Sequence, residues 1–139
     1  AKGAEFGATT GRRRRCGWLD TVIVRNAVRL NGLTGLAITK LDVLGELDEI
    51  KICNAYQYQG ETITEFPTDL KVLAGCQPVY ETLPGWNADI SGIRSLDELP
   101  EQARSYLKRI EALTETPVDI VSVGPGREET IVINNILAR

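Results

Sequence analysis

The sequence predicts an α/β fold in which a mixed sheet is flanked by helices. Residues 100–114 carry an apolar stripe with the period of an amphipathic helix, and several shorter runs are apolar or alternating, as strands are. Gly and Pro stand at the ends of these runs. The chain has 139 residues, 42% of them hydrophobic, which is enough to bury a core. We read residues 1–139 as one segment without repeats or linkers.

Residues 1–18 are predicted to form a loop, and a helix is predicted to follow as far as about Asn31. Asp20 can cap the start of this helix and Gly32 can end it, because each residue type favours that position. Arg25 and Arg29 are expected to face water. The residues expected to face inward are Val24, Ala27, Val28 and Leu30.

The first buried strand is predicted over residues 35–39, a short apolar run. This strand places Lys40 and Asp42 at its C-terminal end. A brief helical turn through Leu44 is expected to follow.

A hairpin is predicted next, because residues 49–58 alternate and Gln59-Gly60 turns the chain back into residues 61–64. A short helix over residues 67–74 and a strand over residues 78–83 are expected to follow.

The strongest helix prediction covers residues 100–114, opened by Pro100. Its apolar stripe consists of Ala103, Tyr106, Leu107, Ile110 and Leu113. The charged residues expected to face water are Arg104, Lys108, Arg109 and Glu111.

Two strands are predicted near the end of the chain, over residues 117–123 and 130–134. The segment between them contains Pro125 and Gly126, which fit the central pair of a type II turn. That turn predicts a positive φ at Gly126.

Composition limits the possible functions. The net charge of −3 argues against a dedicated nucleic-acid binder, and no apolar stretch approaches the roughly 20 residues that span a bilayer. Neither a nucleic acid nor a membrane is therefore expected as a partner.

Cys16, Cys53 and Cys76 are too far apart for a CxxC metal pair and suit a reducing cytosol. Met and His are absent, so we expect a piece of a longer protein, with acid–base groups elsewhere.

Residues 7–18 contain three glycines, two threonines and four consecutive arginines. Arg supplies planar donor forks that suit carboxylate and phosphate, and Thr supplies further donors. This composition indicates a small anion with several oxygens as the ligand. The arginines alone fit a solvated basic turn equally well, and a phosphate contact to a nucleic acid is a further alternative.

Residues 39–44 follow a predicted inner strand and contain Lys40 and Asp42. A carboxylate there can accept two hydrogen bonds from the N1 and N2 donors of guanine, while the Lys stem lies along the base. Taken alone, Lys-x-Asp after a strand is more often an ordinary loop.

Residues 122–127 also follow a strand, and ligands of open α/β sheets collect at such ends. Alone this segment is a plain turn. Together, the three loops indicate a nucleotide-and-anion site.

These motifs closely resemble those of the adenylosuccinate synthetases. The resemblance covers residues 5–15 with 17–20, residues 39–44, Tyr80-Glu81-x-x-Pro84-Gly85-Trp86, and Ser122-x-Gly124-Pro125. The motifs occur in the family's order over essentially the whole chain, which looks like the C-terminal third of such an enzyme.

The resemblance implies a fold related to P-loop nucleotide enzymes and a ligase of purine biosynthesis. Such an enzyme couples GTP hydrolysis to the condensation of IMP with L-aspartate, giving adenylosuccinate, GDP and phosphate. It would act as a cytosolic homodimer that requires Mg²⁺. The phosphate loop, the catalytic aspartate, the general-acid histidine and most Mg²⁺ contacts would lie outside this chain, which would hold no catalytic residue.

The resemblance also implies which residues bind substrates. Arg12 would lie near IMP as well as in the loop that recognises aspartate, and Arg14 would lie near GTP as well as in that loop. The loop that recognises aspartate would consist of Ala8, Thr9, Thr10, Gly11, Arg12, Arg13 and Arg14. The GTP-binding residues would be Arg14, Lys40, Leu41 and Asp42, together with Ser122, Val123, Gly124 and Pro125.

Other classes of function remain as alternatives. A nucleic-acid-binding or structural module would use the arginines at positions 12–15, and a GTPase fragment would use the guanine loops. The acidic overall balance disfavours the first, and the arginine loop has no role in the last.

Overall fold

Two mixed β-sheets and three α-helices make up the fold in the computed structural model, which describes Gly3 and residues 5–135. Both sheets combine parallel with antiparallel pairs, so the predicted α/β class with a mixed sheet is confirmed. The strands are β1 (Leu19–Asp20), β2 (Leu36–Ile38), β3 (Glu49–Tyr58), β4 (Glu61–Ile63), β5 (Gln77–Pro84), β6 (Val118–Ser122) and β7 (Thr130–Val132). The helices are α1 (Thr21–Asn31), α2 (Leu70–Gly75) and α3 (Glu101–Thr114), and 3₁₀ turns cover Leu41–Leu44 and Leu96–Glu98.

The caps predicted for α1 are both present. The Asp20 carboxylate accepts hydrogen bonds from the main-chain N–H groups of Val22 (3.0 Å) and Ile23 (3.2 Å). Gly32 ends the helix at φ 61°, in the left-handed region. Val22 is buried in a small cluster with Cys53 and Tyr56, so the N-terminal turn of α1 anchors the helix to β3.

The inward face predicted for α1 is wrong at Leu30, which is 73% exposed. Leu30 lies seven residues after Ile23, which is 48% exposed, and residues seven apart share one side of a helix. The buried side of α1 is instead set by Val22.

The ten residues of β3 form the centre of the four-stranded sheet. β1 pairs with β3 in parallel, whereas β4 and β5 pair with it antiparallel. The predicted hairpin is confirmed: Gln59 (φ 49°) and Gly60 (φ 87°) form the two-residue turn between β3 and β4. Two successive positive φ values are typical of the turn type that suits hairpin twist.

The three-stranded sheet has the order β2-β6-β7, with β2 parallel to β6. β2 is half-buried rather than buried as predicted, because within the described part of the chain it is an edge strand. Gly35 precedes it, and a Cβ there would lie 1.8 Å from the buried Asp119 carboxylate. The close approach of Asp119 therefore requires glycine at the entry to β2.

α3 closes the main core, and its predicted apolar stripe is confirmed. Ala103, Leu107 and Ile110 are almost completely buried, against Ile52 of β3 and Val121 of β6. A core shared by both sheets holds the strand ends in fixed relative positions.

Two residues of α3 do not simply face water as predicted. The Arg109 guanidinium donates to both carboxylate oxygens of Glu81 on β5, with Nη2 at 2.7 Å from Oε2. The Glu111 carboxylate accepts from the Val118 N–H at 2.7 Å, where β6 begins. Arg109 and Glu111 therefore tie α3 to both sheets, a role that periodicity cannot show.

The Glu81–Arg109 pair gives a prediction about stability. The hydrogen bond that Glu81 accepts from Arg109 lowers the pKa of Glu81 below the usual 4.5. A lowered carboxylate pKa stabilises the fold above the unfolded-state pKa, and this contribution is lost as the pH falls through the folded-state pKa. In a full-length protein carrying this chain, Arg109→Met should therefore lower the free energy of unfolding at pH 7 by about 1 kcal/mol, since the pair is partly exposed.

The measurement is urea unfolding at pH 7 and at stepwise lower pH, with Lys108→Met as the matched control on the same helix. The stability difference between the parent and Arg109→Met should narrow only below pH 4.5. A difference that is constant with pH, or an equal loss in Lys108→Met, would contradict this role for the pair.

Candidate functional site

The parallel pairing of β2 with β6 brings two of the predicted loops together. Ile38 lies opposite Val121, so the residues that follow Ile38 and those that follow Ser122 leave the sheet side by side at the same edge. In parallel sheets this carboxyl edge is where ligands bind. The two strand-end loops therefore share one location, as their sequence positions predicted.

Asp42 occupies the 3₁₀ turn Leu41–Leu44 and is 9% exposed. Within the described residues, its carboxylate forms no ion pair with a lysine or arginine. Leu41, 1% exposed, anchors the turn in the main core. The side chain of Leu41 is therefore engaged in packing, and this residue offers a ligand only its main chain.

Lys40 adopts φ 61°, a left-handed conformation that is uncommon outside glycine. Its ammonium group donates to the Gly3 carbonyl (3.2 Å) and to the Glu5 carboxylate. These contacts bring the N-terminal segment beside the turn that carries Asp42.

The arginine loop is a small closed hairpin rather than an open coil. The Gly7 N–H donates to the Arg12 carbonyl (2.8 Å), and the Arg14 N–H donates to the Glu5 carbonyl (2.9 Å). Phe6 and Arg13 form a single antiparallel bridge, and Gly11 reverses the chain at φ 63°. Positions 1, 2 and 4 of the predicted loop lie outside the described residues.

The polar groups of this hairpin face solvent. All the predicted aspartate-loop residues are exposed, namely Ala8, Thr9, Thr10, Gly11, Arg12, Arg13 and Arg14. Thr10 also accepts a long hydrogen bond from the Arg12 N–H (3.4 Å), which shapes the tip. The hairpin thus presents hydroxyls and guanidiniums on a closed backbone frame.

Glu5 links this hairpin to Lys40. Its carboxylate contacts the Lys40 ammonium and lies 3.6 Å from Nη1 of Arg14. The hydrogen bond and charge of Lys40, with a smaller contribution from Arg14, lower the pKa of Glu5. Sequence reasoning missed this residue, because nothing local pairs position 5 with position 40.

The third loop follows β6. The Ser122 hydroxyl donates to the Gly124 carbonyl (2.9 Å), and Pro125 is exposed. Val123 is completely buried, and its N–H donates to the Glu129 carbonyl (2.9 Å). Val123 therefore contributes to a ligand site at most through its carbonyl.

The type II turn predicted at Gly126 is wrong. Among the described glycines, positive φ occurs only at Gly11, Gly32 and Gly60. A Cβ at the neighbouring Gly124 would lie 2.4 Å from the Glu129 side chain, so the end of that side chain would have to shift to admit a larger residue. The Glu129 carboxylate accepts a hydrogen bond from the Gly126 N–H (2.6 Å), which stabilises the turn.

In the Tyr80–Trp86 motif, Trp86 belongs to the main core, whereas Tyr80 is 44% exposed. Trp86 is 6% exposed and its ring packs at a tilt against Tyr106, with centroids 6.1 Å apart. A Cβ at Gly85 would lie 1.8 Å from the Leu47 carbonyl oxygen, so the main chains approach closely at this point.

A cavity of about 360 Å³ lies away from the three loops, between α1 and the segment after β4. Its arginines are already engaged, since Arg25 donates to the Thr64 carbonyl and Arg29 pairs with Glu65 at 2.9 Å. This cavity therefore has fewer uncommitted guanidinium groups for binding an anion than the exposed hairpin has.

Over Gly3 and residues 5–135, no group of three His, Cys, Asp or Glu side chains is placed to hold a metal ion. No helix in this part of the chain is long and apolar enough to cross a membrane. Cys16, Cys53 and Cys76 are free thiols. The chain contains no His, the side chain whose unperturbed pKa lies nearest neutral pH.

Comparison with known proteins gives concordant matches. The family model described as "Adenylosuccinate synthetase" matches residues 1–131. The adenylosuccinate synthetase of Desulfatibacillum aliphaticivorans is 66% identical over 137 residues, which are 99% of this chain and 32% of that protein. That of Geobacter metallireducens is 57% identical over 136 residues, covering 98% and 32%.

A solved structure agrees with these matches. The structure of fully ligated adenylosuccinate synthetase from Plasmodium falciparum superimposes with a TM-score of 0.91 at 39% identity, covering 96% of this chain and 32% of that one. The chain thus spans about a third of the length of the relatives that it matches.

Proposed function

Because this chain belongs to the adenylosuccinate synthetase family, we propose that it is the substrate-recognition third of a GTP-dependent ligase. The ligase would condense IMP with L-aspartate to adenylosuccinate, releasing GDP and phosphate. The observation that carries the proposal is the meeting of the arginine hairpin, the Lys40–Asp42 turn and the Ser122–Pro125 loop at one edge of the sheet.

Guanine is the base that we assign to the strand-end loops. The Asp42 carboxylate, with no ion-pair partner in the described part of the chain, would accept from N1 and N2 of guanine. Adenine has an acceptor at N1, and each group left unsatisfied in a buried site costs about 1–3 kcal/mol. Lys40 would lie along the base, with the main chain of Leu41 beside it. The pocket would be completed by Ser122, Val123, Gly124 and Pro125.

L-Aspartate is the ligand that we assign to the hairpin tip. Its two carboxylates suit the guanidinium forks of Arg12 and Arg14, and charge-assisted bonds of this kind are about twice as strong as neutral ones. Arg12 would also approach IMP, and Arg14 would approach GTP. Other contacts are assigned to Ala8, Thr9, Thr10, Gly11 and Arg13.

The reaction would proceed in two displacements. The 6-oxygen of IMP attacks the γ-phosphorus of GTP, GDP leaves, and the aspartate amine then displaces the phosphate from C6. The residues of this chain would hold the base and the dicarboxylate in line and neutralise charge, which are the main protein contributions to such transfers. Proton transfer would fall to residues outside the chain.

Further properties are proposed from the family. Mg²⁺ would be held mainly by residues outside this chain; the described residues do not fit a metal centre, so we derive no step through the ion. The full-length enzyme would act in purine biosynthesis as a cytoplasmic homodimer, with this chain as its single C-terminal segment.

The test is a direct assay. A full-length enzyme that carries this chain as its C-terminal third, mixed with IMP, aspartate and GTP, should form adenylosuccinate, GDP and phosphate in equal amounts, measured by chromatography. The isolated 139-residue chain should form none. Turnover by the isolated chain, or equal turnover with ATP in place of GTP, would contradict the proposed division of roles.

A further inference from the structure

Glu5 contacts both parts of the candidate site at once. Its carboxylate pairs with the ammonium of Lys40, in the guanine-reading turn, and lies 3.6 Å from Nη1 of Arg14, in the arginine hairpin. Its own carbonyl accepts from the Arg14 N–H at 2.9 Å. The main chain of Glu5 is thus hydrogen-bonded within the hairpin, and its side chain contacts both Arg14 of the hairpin and Lys40 of the turn that carries Asp42.

The charges and exposures of the three groups favour this linking role. The Glu5 side chain is 27% exposed, whereas those of Lys40 and Arg14 are 55% and 61% exposed. The two long cationic side chains reach into solvent, and the shorter, more covered carboxylate lies between them. The Lys40 hydrogen bond lowers the pKa of Glu5, so this carboxylate is ionised at neutral pH.

We infer that Glu5 is a positioning residue that couples binding of the guanine nucleotide to binding of aspartate. The inference rests on the proposed function, and it adds a residue that touches neither ligand. A nucleotide that orders Lys40 also orders the Glu5 carboxylate, which in turn restricts Arg14. The second ligand then finds its loop partly ordered and binds more tightly.

Such a coupling is reciprocal, because binding free energies are linked. Aspartate must therefore tighten guanine-nucleotide binding by the same factor as the nucleotide tightens aspartate binding. Since the ion pairs of Glu5 are largely solvent-exposed, the expected factor is modest, about threefold to fivefold.

The experiment uses the full-length enzyme saturated with IMP and the Glu5→Gln variant, which keeps the size of the side chain but removes its charge. GDP replaces GTP, so no reaction occurs, and the dissociation constant of GDP is measured by calorimetry with and without saturating aspartate. Glu65→Gln is the matched control, because Glu65 forms an exposed ion pair with Arg29 outside the site. Thermal unfolding confirms that each variant is folded.

In the parent and in Glu65→Gln, aspartate should lower the dissociation constant of GDP about threefold to fivefold. In Glu5→Gln this ratio should fall to about one, and the dissociation constants of both GDP and aspartate should rise. A residue that merely stabilised the fold would shift the unfolding temperature and leave the ratio unchanged.

Two results would overturn the inference: a ratio near one in the parent, or a parental ratio in Glu5→Gln. Either result leaves the proposed function intact if the parent makes adenylosuccinate from GTP. A parent that binds neither GDP nor aspartate would instead refute the proposed function itself.

Discussion

Replacing Asp42 with Asn in the full-length enzyme should raise the KM for GTP by about 10- to 100-fold and make xanthosine triphosphate the better substrate. The carboxylate offers two acceptors to the N1 and N2 donors of guanine, whereas the Asn amide offers one acceptor and one donor. The amide N–H would then face an N–H donor of guanine, and a polar group left unsatisfied in a nearly buried site costs about 1–3 kcal/mol of binding free energy. Xanthine carries an acceptor at position 2 and so complements the amide.

The 9% exposure of Asp42 is what makes the expected effect large, because water cannot readily replace the lost bond. Asp97→Asn is the matched control, since Asp97 is exposed in the second 3₁₀ turn, outside the candidate site. Steady-state kinetics with each nucleotide provide the measurement. Unchanged kinetics with GTP, together with no gain for xanthosine triphosphate, would show that the guanine assignment is wrong.

Arg12→Leu should raise the KM for aspartate by well over tenfold, which corresponds to more than about 1.4 kcal/mol. The change removes a guanidinium fork from the exposed hairpin while the main-chain bond from Gly7 to Arg12 remains. Folding should therefore be unaffected, and the loss should appear in substrate binding. The KM for IMP should rise as well, since Arg12 is assigned to both ligands.

Arg15→Leu is the matched control for this change. Arg15 belongs to the same run of four exposed arginines but has no assigned ligand. The two variants separate a specific carboxylate contact from general attraction of anions by the basic run. An unaltered aspartate KM in Arg12→Leu, or an equal rise in Arg15→Leu, would rule out the specific role.

Local signals in the sequence were sufficient for most of the secondary structure. Asp20 and Gly32 bound α1 because capping depends on neighbouring main-chain groups, and Gln59-Gly60 sets the hairpin because a two-residue turn is a local conformation. The apolar stripe of α3 was predictable for the same reason, since its period is a property of one helix.

Two of the errors occurred where distant parts of the chain meet. Leu30 was expected in the core, but the side of α1 that carries Val22 is the one that packs against β3, and Leu30 lies on another side. Arg109 was expected in water, but Glu81 on β5 pairs with it. The third error is local: Gly126 was expected to supply a positive φ, but its φ is not positive, and its N–H donates to the Glu129 carboxylate three residues further along the chain.

The residue types and their spacing predicted the chemistry that we propose for the candidate site: guanidiniums and hydroxyls for an anion, and a carboxylate with a lysine for guanine. The sequence also determined that no histidine serves as a proton shuttle in this chain. Only the tertiary structure decided that these groups meet. The parallel register of β2 and β6 places two loops at one edge, and Glu5 joins the third to them across 35 positions of the chain. Contacts between residues so far apart depend on packing of the whole core, which no local pattern encodes.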